Sequence, residues 1–310
     1  MKKHTVIGSG IYWLDTIVIR DYPDWPNRRH FTERTVLEEV GGTCGNVCCM
    51  LSHLGWDALP QASLDDSPEG LRMRDDLERY GCDCRFVTNT PEGGTSLLRC
   101  THGKDAEGRH VMGVRAGAPG GSRFPKRHFL RMRDEAPAFV ASVRDWCPEG
   151  PDVYFFDSPA AGHRYVARAL RESGGTLVWF EPDRVADRAD LECVELSDVV
   201  KFSAENIPDA SFAERYAGKL FIQTLGADGL RFRLGGAGWV TLPPVPCGDV
   251  VDTEGAGDWL TAAFLDALGR NGALRPEDWT PDGVAEMLRE AQECSARSIG
   301  FMGSKGMINR

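Results

Sequence analysis

Four short apolar runs, VYFF at 153–156, LVWFEP at 177–182, DVVKFS at 198–203 and LFIQTLG at 220–226, are spaced by helix-length segments such as AGHRYVARALRESGG. Runs that are apolar without alternation suit strands buried on both faces. Parallel strands also need a crossover long enough to hold a helix. The rhythm therefore predicts an α/β fold with a parallel sheet covered by helices on both sides. Residues 5–8 read as a first buried strand leading into the turn GSG. After GGTCGN, the residues Val47, Met50, Leu51 and Leu54 follow the i, i+3, i+4, i+7 spacing of a helix. Gly55 stands where a C-terminal cap belongs.

Two regions break this rhythm. TIVIRDY and RTVLEEV read as β segments around a polar stretch. In TSLLRCTHGKDAEGRHVMGVRA two strand-like runs flank a turn-rich centre, as in a hairpin. Together they predict a small separate sheet. The expected organisation is one domain over 1–310, with lid strands inserted at about 15–40 and 95–118.

The chain has 310 residues, of which 42% are hydrophobic, enough for a large core. A net charge of −10 argues against a nucleic-acid partner, because phosphate binding depends on Lys and Arg. No run approaches the roughly 20 apolar residues of a membrane span. The basic N-terminus lacks the apolar length and cleavage site of a signal, so a cytoplasmic protein is expected. Ten cysteines scattered through apolar segments read as buried thiols, and no pairing at zinc-site spacing accompanies the CxC of Cys82 and Cys84.

Three glycine-rich places could carry chemistry. Gly8-Ser9-Gly10 would open a dinucleotide fingerprint only with a glycine at position 13, which is Trp13. No GxxxxGK[ST] occurs either, and GSKG at 303–306 reads as an ordinary turn. The second place, Gly41-Gly42-Thr43-Cys44-Gly45-Asn46, permits close backbone approach to a ligand. Asn46 there either caps the following helix or presents an amide that can donate to and accept from hydroxyls. The third is VDTEGAGDWL at 251–260. Leu260, Ala263, Phe264, Ala267 and Leu268 make a helical stripe, so a helix begins at or just before Asp258. Its first-turn amides, near Gly255, Ala256 and Gly257, would form an anion hole at the positive end of the helix dipole. Asp258 is then either a helix N-cap or a general base beside a phosphoryl group.

These residues jointly resemble the PfkB-type (ribokinase-like) carbohydrate kinases. DTEGAGD resembles the family's DTxGAGD signature, VGGTCGNV its N-terminal glycine and asparagine motif, and Thr224 to Gly229 its nucleotide-side TxGxxG turn. The resemblance implies a ribokinase-like three-layer α/β/α core with a β-sheet lid. It further implies an ATP-dependent transfer of the γ-phosphate to a sugar hydroxyl. It casts Asp258 as base, with Gly255, Ala256 and Gly257 as the anion hole. Asp15, Asn27, Gly41, Gly42 and Asn46 would hold the acceptor, and Ser203, Thr224, Gly226, Gly229 and Ser298 would border ATP. Mg²⁺ would travel with the ATP phosphates. Asp252, with the loop from Ser298 to Gly303, resembles a monovalent-cation site suited to K⁺. LDTIVIRDYP, WFEPDR and DVVKFSAEN are most similar to ketohexokinase and fructokinase types, which implies a free ketohexose. A phosphosugar or nucleoside acceptor, and a non-catalytic sensor of the same fold, are the alternatives. Tyr12, Trp13 and Trp25 could stack on a nucleoside.

The sequence also departs from the family. Ser203-Ala204-Glu205-Asn206 stands where an NxxE element commonly organises Mg²⁺, which leaves Glu205 one position early for that role. Glu254 adds a charge to the glycine motif, and its side chain is expected to point to solvent. The expected partners are a small-molecule sugar and, through the lid, a second copy of the chain.

Overall fold

The computed structural model describes residues 3–21, 32–91, 94–104, 110–115 and 134–309. Its main sheet has nine strands. They are β1 (Thr5–Ser9), β4 (Asp57–Leu64), β5 (Val87–Asn89), β8 (Val153–Phe156), β9 (Leu177–Phe180), β10 (Val199–Ser203), β11 (Leu220–Thr224), β12 (Leu230–Leu234) and β13 (Val240–Leu242). The order is β13-β12-β11-β10-β9-β8-β1-β4-β5. From β11 to β5 neighbours are parallel, and β12 and β13 close the other edge antiparallel.

The four apolar runs become β8 to β11, and the reason is visible in their side chains. In β8, Val153 and Phe155 enter one core while Tyr154 and Phe156 enter the other. Leu177 and Trp179 of β9 likewise oppose Val178 and Phe180. With period-2 geometry, only a sheet covered on both faces buries every residue of such a run. One core is completed by α1 (Thr43–His53), α2 (Pro68–Arg79), α6 (Ala256–Arg270) and α7 (Pro281–Ser298). The other is completed by α3 (Glu135–Trp146), α4 (Ala161–Glu172) and α5 (Arg188–Leu196). This is the ribokinase-like three-layer arrangement that the resemblance implied.

The second sheet is present as well. It has the order β3-β2-β6-β7, formed by β2 (Trp13–Asp21), β3 (Thr32–Gly41), β6 (Ser96–Lys104) and β7 (His110–Arg115). The expected hairpin pairs antiparallel as β6 and β7, and β2 pairs with β6 in parallel. Its apolar centre is Ile17 and Leu98, with Trp13, Val36, Leu37 and Met302 packed against them. Met302 belongs to the C-terminal segment, so this cluster ties the small sheet to the larger body. The described cysteines are free, and seven of them are buried.

Candidate active site

Helix α6 starts at Ala256, and its N-cap is Gly255 in the left-handed region at φ 74°. A Cβ on Gly255 would lie 2.5 Å from the Ser304 Cβ, so both the conformation and the packing require glycine. Asp258 is the third residue of the helix and therefore not its N-cap. The Ala256 amide donates to the Thr253 carbonyl at 3.3 Å. The amides of Gly257 and Asp258 are first-turn donors with no acceptor inside the helix. Lys201, 3% exposed on β10, brings its Nζ to this terminus: it lies 3.5 Å from where a Gly257 Cβ would sit. Helix amides and a lysine thus point positive charge at one spot.

Asp258 is held from the side by α1. Asn46 Nδ2 donates to Asp258 Oδ2 at 2.7 Å across 212 positions of sequence. Asn46 is not a cap; it lies inside α1, with its own amide bonded to the Gly42 carbonyl. The Asn46 Oδ1 accepts from Lys305 Nζ at 2.6 Å and from Ser304 Oγ at 2.9 Å. Both lone pairs of that oxygen are thereby used, so Asn46 can meet a ligand only as a donor. Burial pushes the Asp258 carboxyl up to about 6, and Glu181 adds to the rise, while Lys201, the Asn46 bond and Lys305 pull it back.

Across from Asp258 lies Asp15 on β2, 2% exposed, with Oδ1 unpartnered. Burial holds its carboxyl well above the ordinary range, and Glu254, Glu39 and Asp258 add to this against Lys305. Gly41 makes room for it, since a Cβ there would stand 1.6 Å from Asp15 Oδ2. Gly42 has φ 81°, and a Cβ on it would stand 2.4 Å from the Ile11 carbonyl. Glu254 does not point to solvent. Its Oε2 is buried, and it is the strongest charged influence on Asp15. Tyr12 is 1% exposed with its hydroxyl on the Gly8 carbonyl, which removes it as a stacking surface; Trp13 stays beside Gly41. Asn27 and Trp25 lie outside the described residues.

The expected nucleotide residues gather partly. Ser203 and Thr224 are register partners at the ends of β10 and β11, and the Ala204 amide donates to the Thr224 carbonyl at 2.9 Å. Gly226 and Gly229 shape the next turn, both at positive φ. Glu205 is exposed, its amide bonded to Ser203 Oγ at 3.1 Å. Ser298 lies at the end of α7, and its hydroxyl donates to the Ser295 carbonyl. Asp252 is 1% exposed and joins two loops, accepting from the Glu254 amide at 3.0 Å and the Gly303 amide at 2.9 Å.

The pfkB family carbohydrate kinase model matches residues 166–307, which include α6 and the segment that meets it. Residues 166–307 thus carry the likeness to a pfkB family carbohydrate kinase domain. It is 27% identical over 281 residues to an ATP-dependent ribose-1-phosphate kinase of Halopiger xanaduensis, covering 88% of this chain and 84% of that one. It is 24% identical over 321 residues to a fructokinase of Klebsiella pneumoniae, covering 96% and 95%. Among solved structures, Arabidopsis thaliana ribokinase complexed with ribose and ATP superposes with a TM-score of 0.68 at 18% identity, over 98% of this chain and 95% of that one. The protein is an ATP-dependent kinase of the sugar and nucleoside class.

Several residues of this pfkB site were not singled out from the sequence. Lys201 pairs with Glu181, which also accepts from Thr261 Oγ1 at 2.9 Å on α6. Asp157 accepts from the Ile11 amide at 2.9 Å and the Cys44 amide at 3.3 Å, and burial pushes its carboxyl up to about 7. Glu181 and Asp157 directly follow the ends of β9 and β8, where α/β sheets place ligands; that is the signal that could have found them. The GSKG turn is a turn in its backbone but not an ordinary one. Ser304 is 3% and Lys305 0% exposed, both against Asn46.

Proposed function

We propose that the chain transfers the γ-phosphate of ATP to a hydroxyl of an uncharged sugar, with a free ketohexose as the first candidate. One observation carries this reading: Asp258 stands at the start of α6 with its carboxylate bound to Asn46, next to unspent helix amides and Lys201. Asp258 is the base that takes the acceptor's proton. The amides of Gly255, Ala256 and Gly257 with Lys201 bind the transferring phosphoryl, Gly257 being best placed because the Ala256 amide already has an acceptor. Asp15, Gly41, Gly42 and Asn46 form the acceptor side, with Asn46 as donor. Ser203, Thr224, Gly226 and Gly229 border the nucleotide.

Among the described residues no group of three His, Cys, Asp or Glu side chains is placed to hold an ion. Mg²⁺ would be carried by phosphate oxygens and water, with the exposed Glu205 beside Ser203 as the carboxylate on the nucleotide side. Mg²⁺ would neutralise charge on the phosphates. Asp252 and the carbonyls of the loop from Ser298 to Gly303 offer the all-oxygen set that K⁺ takes. Among the described residues no helix is long and apolar enough to cross a membrane, in keeping with a cytoplasmic location. A homodimer through the edge strands of the small sheet would be read by light scattering.

The acceptor reading follows from charge. Among the described residues, the carboxylates Asp15, Glu39, Glu254 and Asp258 outnumber the cations Lys201 and Lys305 that act on them, a balance that opposes a phosphate on the acceptor. ADP release over a panel of free ketoses, pentoses, their monophosphates and nucleosides tests this, and preference for a monophosphate would overturn it. In the same assay Asp258→Asn is expected to lose at least about a hundredfold in turnover while still binding ATP. Full activity in that variant would remove Asp258 as the base.

A further inference from the structure

Lys305 is 0% exposed, yet it is an ammonium group within hydrogen-bonding reach of the residue that holds Asp258. Its three donors have three destinations: Asn46 Oδ1 at 2.6 Å, Ser304 Oγ at 2.7 Å and Glu39 Oε1 at 3.4 Å. Tyr80 closes the group, donating to Glu39 Oε2 at 2.9 Å and accepting from Asn309 at 3.1 Å. Burial works against the charge on Lys305, but Glu39, Cys49, Asp15 and Tyr80 outweigh it and hold the ammonium above its ordinary value. The charge is therefore kept, with no donor left for a substrate.

The consequence lies one bond further on. A side-chain amide can be placed either way round, and its neighbours decide which. Lys305 and Ser304 both donate to one atom of Asn46, so that atom is the oxygen and the NH2 group must face Asp258. An NH2 there donates to Asp258 Oδ2, which draws charge from that oxygen and leaves Oδ1 the more basic of the two. We propose that Lys305 is a positioning residue of phosphoryl transfer: by fixing the Asn46 amide it commits Asp258 Oδ2 as an acceptor and leaves Oδ1 as the oxygen that deprotonates the acceptor hydroxyl. In the step itself the hydroxyl proton passes to Asp258 Oδ1 and the hydroxyl oxygen bonds to the γ-phosphorus. The bond from that phosphorus to the β,γ-bridging oxygen breaks, and ADP leaves with the electron pair. This rests on Asp258 being the base.

The groups that face Asp258 are Glu181 after β9, Lys201 on β10, Asn46 on α1, Asp15 on β2 and Lys305 in the C-terminal turn. Of these, Lys305 is the cation that also orients the amide. Replacing it with a neutral side chain raises the pH at which Asp258 loses its proton, whereas a purely structural lysine would alter melting and leave the pH profile in place.

The test is ADP release against pH, with the acceptor chosen from the panel, for the wild type, Lys305→Met, Lys305→Gln, Ser304→Ala and Asp258→Asn. Lys305→Met is expected to lower kcat about tenfold or more and to move the acid limb to higher pH, with the KM for ATP within about twofold. Lys305→Gln keeps a donor for Asn46 without the charge, so it should recover part of kcat while its acid limb stays displaced. Ser304→Ala removes only the second donor and should give a smaller loss of the same kind. If Lys305→Met fails to fold because Glu39 is left unpaired, the Glu39→Gln, Lys305→Met double variant removes that charge and answers the same question. Wild-type kcat and acid limb in folded Lys305→Met, beside an inert Asp258→Asn, would overturn the role of Lys305 alone. Full activity in Asp258→Asn would overturn the base assignment and this role with it.

Discussion

Asp258 is kept as a carboxylate in a place that does not favour one. Burial and then Glu181 raise its carboxyl to about 6, so the folded protein binds that proton more tightly than the unfolded chain does. The stability this contributes is complete at low pH and is lost as pH rises through about 6. Two consequences follow from the same number. Activity that needs the ionised base should fall on the acid side with a midpoint near 6, read from kcat against pH. Asp258→Asn, besides losing turnover, should be more stable than the wild type at pH 8, by up to roughly 3 kcal/mol at about 1.4 kcal/mol per unit. At that size the change is several degrees of Tm. The gain should shrink by about half at pH 5 and largely vanish by pH 4. Melting curves at the three values check this, and a gain that did not vary with pH would point to packing instead.

At the N-terminus of α6, two glycines two positions apart have different physical duties. Gly255 is left-handed and pressed against Ser304, so Gly255→Ala combines backbone strain with a clash. About 1–3 kcal/mol should be lost, along with most of the turnover. Gly257 is helical and exposed, and a Cβ there meets Lys201 Nζ at 3.5 Å, an ordinary contact. Gly257→Ala should therefore melt at or above the wild-type temperature, since alanine favours a helix over glycine by about 1 kcal/mol. It should still lower turnover by crowding the phosphoryl seat. The pair separates folding from function, and equal loss of stability in both would contradict it. Sequence pattern alone located this helix to within two residues, because an apolar stripe with period 3.6 reports local geometry. The resemblance, not the pattern, put Ser203 and Thr224 on the nucleotide side, and the register of β10 and β11 brings the two residues together. Sequence pattern could not show that Ser304 and Lys305 close the site, because the Lys305 to Asn46 bond spans 259 positions and a GSKG turn carries no periodicity. The expectation for Glu254 failed on the same ground, since its buried carboxylate acts on Asp15 of β2, far away in the chain.

The site is divided between the two sheets. Asp15, Glu39 and Gly41 belong to the small one, while Asn46, Lys201, Asp258 and Lys305 belong to the body. A narrow apolar contact joins the sheets, with Leu37 and Ile17 close against Gly303 and Met302 packed on the Ile17 and Leu98 pair. That contact sets how Asp15 faces Asp258, and it touches none of the turns at 203–206 or 224–229 that are proposed to border the nucleotide. Met302→Ala or Leu37→Ala removes part of it from partly buried positions, so the stability loss should stay within about 1–3 kcal/mol. The acceptor KM should rise several-fold while the KM for ATP changes by less than about twofold, because in the proposed reading only the acceptor is gripped from both sheets. Steady-state kinetics with each substrate varied in turn decides between this and the alternative. If both KM values rose together, the small sheet would act on the whole cleft, and the division of the site between an acceptor side and a nucleotide side would be wrong.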